Sequence, residues 1–176
     1  MRVKGFTLVE MMVVVAIIAV LAMVAVPDFS AWIANNKVHA KAEALAAGLN
    51  TARTEALKRS ASVSVRFTDT GGMLDGGWVV CPADRTAADG TCAAADLIDS
   101  RKGENTTEPV DVNPVGATMV TFTSLGTAAA KDVAGGERVA AFDVKSSKTS
   151  EVRRVAISSG GRINVCKPDG TGYGAC

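Results

Sequence analysis

The chain has 176 residues and 18.1 kDa, long enough for one domain with a sizeable core. Its formal net charge is +1, so bulk charge announces no nucleic-acid partner, and aromatics make up only 5%, which leaves the core to aliphatic side chains. One histidine among 176 residues excludes His-rich metal sites, and no metal or other cofactor is expected.

The first predicted element begins at Gly5-Phe6-Thr7-Leu8-Val9-Glu10 and continues into Met11–Val26, 16 residues without a polar side chain. From Phe6 to Val26 a helix rises roughly 30 Å, the thickness of a bilayer's hydrocarbon core. Arg2 and Lys4 precede the run, and Pro27 and Trp32 follow it. That arrangement predicts a single-pass anchor with Met1 cytoplasmic and the bulk of the chain across the membrane. Glu10 is the odd residue: a carboxylate within a spanning segment costs on the order of 2.5–3.5 kcal/mol, so it needs a role and a partner. An ordinary secretory signal peptide fits less well. Ala16, Ala19, Ala22 and Ala25 are spaced by three and form no strict A-x-A site, although Val20-Leu21-Ala22 is a looser one. A plain anchor leaves Glu10 unexplained.

Lys4-Gly5-Phe6-Thr7-Leu8-Val9-Glu10, with the apolar run ending in Val26-Pro27, resembles the N-terminus of type IV pilins and type II secretion pseudopilins. The resemblance implies that a prepilin peptidase cuts after Gly5 and that the new N-terminal residue, Phe6, is methylated. Residues 1–5 would be the leader, and Glu10, the fifth mature residue, the assembly glutamate. Elementary electrostatics agrees with that role. Cleavage frees a cationic amine on Phe6, and the Glu10 carboxylate of one subunit can meet the Phe6 ammonium of its neighbour. Opposite unit charges ~4 Å apart gain about 4 kcal/mol at an effective dielectric of 20, which offsets much of the burial cost and selects the register between subunits. The small residues Ala16, Ala19, Ala22 and Ala25 let neighbouring helices approach closely.

Beyond Pro27 the helical pattern resumes. Val38, Ala42, Leu45, Leu49, Ala52 and Ala56 recur at intervals of four and three, one apolar stripe suited to covering a sheet rather than a coiled-coil partner. Lys37, Lys41, Glu43, Arg53, Glu55, Lys58 and Arg59 are expected on other faces, with Glu55 able to pair with Arg59 at i,i+4. The spacing predicts one long helix over about 6–59, its first half apolar nearly all round and its second half amphipathic. Pro27, lacking an N–H, should kink or loosen it at the membrane exit.

From Ala61 the period becomes two: Val63, Val65 and Phe67 lie on one face of a strand over Ser62–Phe67. Further strands are predicted at Trp78–Cys81, Asp96–Ser100, Val110–Asn113, Thr118–Thr123, Val139–Val144, Val152–Ser158 and Arg162–Cys166. Glycine-rich turn signals separate them, while Gly103–Glu108 and Thr127–Ala130 read as loops. The fold class is therefore α+β, a long N-terminal helix packed on an antiparallel β domain over about 60–176. Four cysteines on an exported chain suggest two disulfides, and three connectivities are possible. Cys81–Cys92 and Cys166–Cys176 are favoured, because each closes a short, turn-rich loop worth roughly 3 kcal/mol in the chain-entropy model. Zinc fails on spacing, since neither pair is C-x₂-C and His39 sits in the helix.

Charge is uneven. From Asp84 to Asp111 seven acids face three bases; from Arg138 to Lys167 seven bases face two acids. Two solvated faces that orient neighbouring subunits would account for this. A sharper reading makes Arg153, Arg154, Arg162 and Lys167, with Lys145 and Lys148, a basic patch for DNA phosphates or a protein partner. Base-stacking aromatics are absent there, with only Phe142 and Tyr173 near. Arg154-Val155-Ala156-Ile157-Ser158, then Gly161-Arg162-Ile163-Asn164-Val165-Cys166-Lys167-Pro168, resembles the closing hairpin of the GspH/FimT/FimU group of minor pilins and pseudopilins. In DNA-binding members of that group the motif reads Gly-Arg-x-Arg; here the second basic position is Asn164, which removes one phosphate contact.

No Gly-x-Ser-x-Gly, phosphate loop or metal-protease helix motif is present, and the carboxylates lie scattered without a fixed helical spacing. The chain reads as a substrate of processing enzymes rather than an enzyme. The resemblance implies a minor pilin near a fibre tip that primes pilus assembly. Its partners would be the major pilin, other minor pilins, the prepilin peptidase, the inner-membrane assembly platform and, before assembly, membrane lipid. The alternatives are an H-type pseudopilin of a type II secretion system and a pilus-borne DNA receptor.

Overall fold

The computed structural model describes residues 6–69, 74–86, 92–103, 110–115, 119–131, 136–137 and 139–168. Helix α1 (Leu8–Arg59) is a single element of 52 residues. Thr7 caps it with extended backbone, and its Oγ1 accepts the Glu10 N–H at 3.2 Å. This is the threonine half of a T-x-x-E capping box, a signal that sets the start two residues later than periodicity alone suggests. The helical assignment passes through Pro27 without a break. At the other end Ser60 adopts a left-handed conformation (φ 49°), and its N–H reaches the carbonyls of Ala56 and Leu57. Lys58 and Arg59 in the last turn complement the negative end of the helix dipole.

Eight strands follow: β1 (Val63–Asp69), β2 (Leu74–Pro82), β3 (Asp99–Arg101), β4 (Val110–Val115), β5 (Met119–Phe122), β6 (Ala141–Ser146), β7 (Val152–Ile157) and β8 (Ile163–Cys166). They form one antiparallel sheet in the order β5-β1-β2-β4-β6-β7-β8, with β3 added alongside β2. Strand β2 is shared. Its Trp78–Val80 segment pairs β3, while Leu74 pairs Val112 of β4 and joins the two halves of the sheet.

Every predicted strand is present, with shifted bounds. Asp96–Ser100 is the largest change: Ala94–Asp96 is a 3-10 turn, and pairing starts at Asp99, which faces Val80 of β2. Thr127–Ala130 is less of a loop than its composition suggests. Ala128 bridges Phe122, and the Ala129 N–H donates to the Thr121 carbonyl at 2.8 Å, which covers the outer edge of β5. The Gly103–Glu108 loop lies, apart from Gly103, outside the described residues.

The core lies between the second half of α1 and one face of the sheet. All six stripe residues, Val38 to Ala56, are fully buried against Val63, Val65, Phe67, Val120, Phe122, Phe142, Val144 and Val155. Phe67 of β1 and Phe142 of β6, with centroids 4.4 Å apart, stitch the sheet's two halves together. Lys41 departs from its expected solvated position: it is only 6% exposed. It sits three residues from Val38 and four from Leu45, on the flank of the buried stripe. The Cys81–Cys92 disulfide is formed and ties the end of β2 to the segment leading into β3. Cys166 is also disulfide-bonded, and its expected partner Cys176 lies outside the described residues.

Candidate assembly face and basic edge

The start of α1 is open to its surroundings. Every described side chain from Phe6 to Met23 is exposed, Phe6 at 77% and Met23 at 78%. A monomer rarely leaves so continuous an apolar surface open, so this face calls for lipid or other helices around it. Among the described residues no helix is long and apolar enough to cross a membrane. The expected span over 6–26 ends in residues 24–26, whose side chains are not described. Glu10 is exposed in the first turn, where the positive helix end favours a carboxylate. Gly5 lies outside the described residues.

The helix is tied to the β domain at Asn35, whose Oδ1 accepts a hydrogen bond from the Thr149 hydroxyl in the β6–β7 turn. One helical turn on, His39 Nε2 lies 2.8 Å from Arg153 Nη2, as the acceptor of that contact. Arg153 also forms an ion pair with Glu151 at 2.8 Å, and Lys167 reaches the same carboxylate at 3.3 Å. Arg154 projects from the opposite face of β7, as successive strand residues must. There it makes a bidentate pair with Asp143 across the ladder, Nε at 2.6 Å and Nη2 at 2.7 Å. Hydrogen bonding to Asp143 raises the Arg154 guanidinium above its ordinary pKa.

Of the six bases proposed as one patch, Arg153, Arg154, Arg162 and Lys167 are thus divided. Arg153 and Lys167 share Glu151 beside the helix, and Arg154 is held by Asp143 on the far face. Arg162, exposed on the β7–β8 turn, donates from Nε to Asn164 Oδ1 at 3.2 Å. The residue that replaces the second arginine of the DNA-binding motif here orients the first.

Arg53 contributes a contact that helix periodicity does not reveal. Its guanidinium donates to the Gly126 carbonyl at 2.9 Å and the Gly160 carbonyl at 3.4 Å, fastening two turns to the helix. Gly161, with φ of +76°, packs so closely that a Cβ would fall 2.0 Å from the Gly126 oxygen. The signal for this closure was the Ser159-Gly160-Gly161 turn; its partner across 107 residues was not readable.

Residues 41–161 match the family model described as type II transport protein GspH. Residues 1–26 match the model described as prokaryotic N-terminal methylation motif. Two crystal forms of the type IV minor pilin FimU from Pseudomonas aeruginosa (strain PAO1) have a similar structure. One is 25% identical with a TM-score of 0.57 and covers 80% of this chain and 96% of that one. The other is 25% identical with a TM-score of 0.54, covering 78% and 98%.

Proposed function

The chain belongs to the type II transport protein GspH family of minor pilins and pseudopilins, and on that premise we propose that it is a minor pilin of a type IV pilus that primes fibre assembly. The observation that carries this reading is the division of α1: every described side chain of Phe6–Met23 is exposed, whereas the apolar stripe Val38, Ala42, Leu45, Leu49, Ala52 and Ala56 is buried under the sheet. A half-helix of this kind serves first as an inner-membrane anchor and then as part of a fibre's helical core, with the β domain outside. The family and fold are those of pilin structural proteins, and we read this chain as having no enzymatic activity of its own.

In this account the prepilin peptidase cuts after Gly5, Phe6 is methylated, and residues 30–176 lie in the periplasm. The major pilin, other minor pilins and the assembly platform are the partners, and the position is near the tip. Cys166–Cys176 is proposed as the second disulfide. Glu10 of one subunit pairs with the Phe6 amine of the next. Mass spectrometry of the chain expressed with a prepilin peptidase should give a mature form starting at methylated Phe6. Glu10→Ala should be processed alike yet be absent from sheared fibres; normal incorporation of that variant would overturn the assigned role of Glu10.

The likeness to FimU, which spans nearly all of that protein, favours the pilus. The family description favours the second reading, an H-type pseudopilin of a type II secretion system. DNA reception is not favoured, since Arg153, Arg154 and Lys167 are engaged by Glu151 and Asp143.

A further inference from the structure

Between the exposed segment Phe6–Met23 and the Asn35–Thr149 hydrogen bond lies an aromatic pair. Phe29 and Trp32 are 60% and 59% exposed, and their rings stack with centroids 5.8 Å apart and planes 23° apart. Three residues apart, they occupy one face of the helix. Among the described residues of the helix the first buried one, Ala34, comes after them, and Asn35 beside it is hydrogen-bonded to Thr149 of the β domain.

Sequence fixes where this pair sits along the helix. No charged residue occurs between Glu10 and Asp28, and from Asp28 onward polar residues are frequent: Ser30, Asn35, Asn36, Lys37. The change from apolar to polar therefore falls within one turn of Phe29. Phe29 lies 23 residues beyond Phe6, a helical rise of ~34 Å, just more than the ~30 Å of a hydrocarbon core. Trp combines a large apolar body with one N–H donor, the combination favoured where acyl chains give way to headgroups.

Resting on the membrane-anchored state proposed above, we infer that the Phe29–Trp32 pair seats in the headgroup–acyl boundary of a phospholipid bilayer and sets the depth of the half-helix. The consequence reaches Glu10. It is 19 residues from Phe29, ~28 Å along the axis, so a pair pinned at one boundary holds Glu10 at the opposite one rather than at mid-bilayer. The carboxylate is then hydrated while the subunit waits, at the same membrane face as the Phe6 amine with which it is to pair and about 6 Å from it along the axis.

The full chain reconstituted into phosphatidylethanolamine/phosphatidylglycerol vesicles tests this, with lipids brominated either near the headgroup or near the chain end. The protein has two tryptophans, and Trp78 is buried, so the difference between wild type and Trp32→Phe isolates Trp32 without disturbing the core. The prediction is a blue-shifted Trp32 emission quenched several-fold more by headgroup-proximal bromine than by chain-end bromine. Vesicles that carry the protein on flotation while Trp32 stays open to aqueous acrylamide would overturn this inference and leave the anchor standing. Strongest quenching from chain-end bromine would overturn it too, as would shielding from both quenchers, which would assign the pair to a second copy. Failure of the protein to float with vesicles would overturn the anchored state itself.

Discussion

A Cβ added to Gly48 would stand 2.6 Å from Cε2 and 2.7 Å from Nε1 of Trp78, so α1 meets β2 with an indole lying against bare helix backbone. The ring has little room to retreat: Trp78 is 5% exposed, and the Arg101 guanidinium sits 5.4 Å from its centroid on β3. Gly48→Ala gains up to about 1 kcal/mol of helix propensity, but overpacking of a filled interface costs about 1–3 kcal/mol. The second effect should win, because a rigid ring rather than a flexible chain end blocks the methyl. Thermal unfolding of the full chain in detergent should show a lower Tm for Gly48→Ala; an unchanged or higher Tm would mean that the helix and β2 are not so closely opposed.

Two turn positions should respond in opposite directions. Ser60 holds a left-handed conformation with an L side chain, so Ser60→Gly should stabilise by a net ~0.5 kcal/mol. Gly161→Ala should destabilise by on the order of 3 kcal/mol, because it combines backbone strain with a collision on the Gly126 carbonyl. The same melting experiment reads both.

This contrast marks what the sequence makes legible. The stripe Val38–Ala56 and the alternation Val63, Val65, Phe67 are set by the periods of helix and strand, and all nine side chains are buried as those periods require. The flanks of the helix are another matter. Lys41 and Gly48 lie on one side of the stripe and Arg53 on the other, and their roles depend on which strands and turns fall beside them. Topology decides that, not local pattern. The basic edge shows the same limit. A count of charges from 138 to 167 cannot tell that Arg153 and Arg154 alternate onto opposite faces, or that two acids suffice to engage three of the bases. The N-terminal helix was readable because its signal is local, a charge-free run from Met11 to Pro27, although the Thr7 cap that sets its start at Leu8 was not read.

Removing those two acids should expose the bases they hold. Asp143→Asn with Glu151→Gln should bind duplex DNA at low salt at least ~10-fold more tightly than wild type, with the slope of log K against log salt steeper by about two. Fluorescence anisotropy reads both quantities. Wild-type binding as tight as the variant's would show that the ion pairs do not restrain these residues, and would bring DNA reception forward.

The last turn of α1 carries a pH-dependent contribution. Hydrogen bonds from Lys58 and then Arg59 hold the Glu55 carboxyl below its ordinary value of 4.5. A carboxyl depressed in the folded state contributes stability that is present above its unfolded value and lost as pH falls through the lowered folded value. Glu55→Gln should therefore melt below wild type at pH 7. The difference should shrink from about pH 4.5 downward and vanish in stronger acid. A difference that persisted in strong acid would point to packing rather than charge.

If this chain primes a pilus, deleting its gene should abolish sheared surface pilin while secreted enzyme activity in the same culture continues, and the intact gene should restore the pilin. Normal pili with secretion abolished would contradict that role and assign the chain to the secretion pseudopilus.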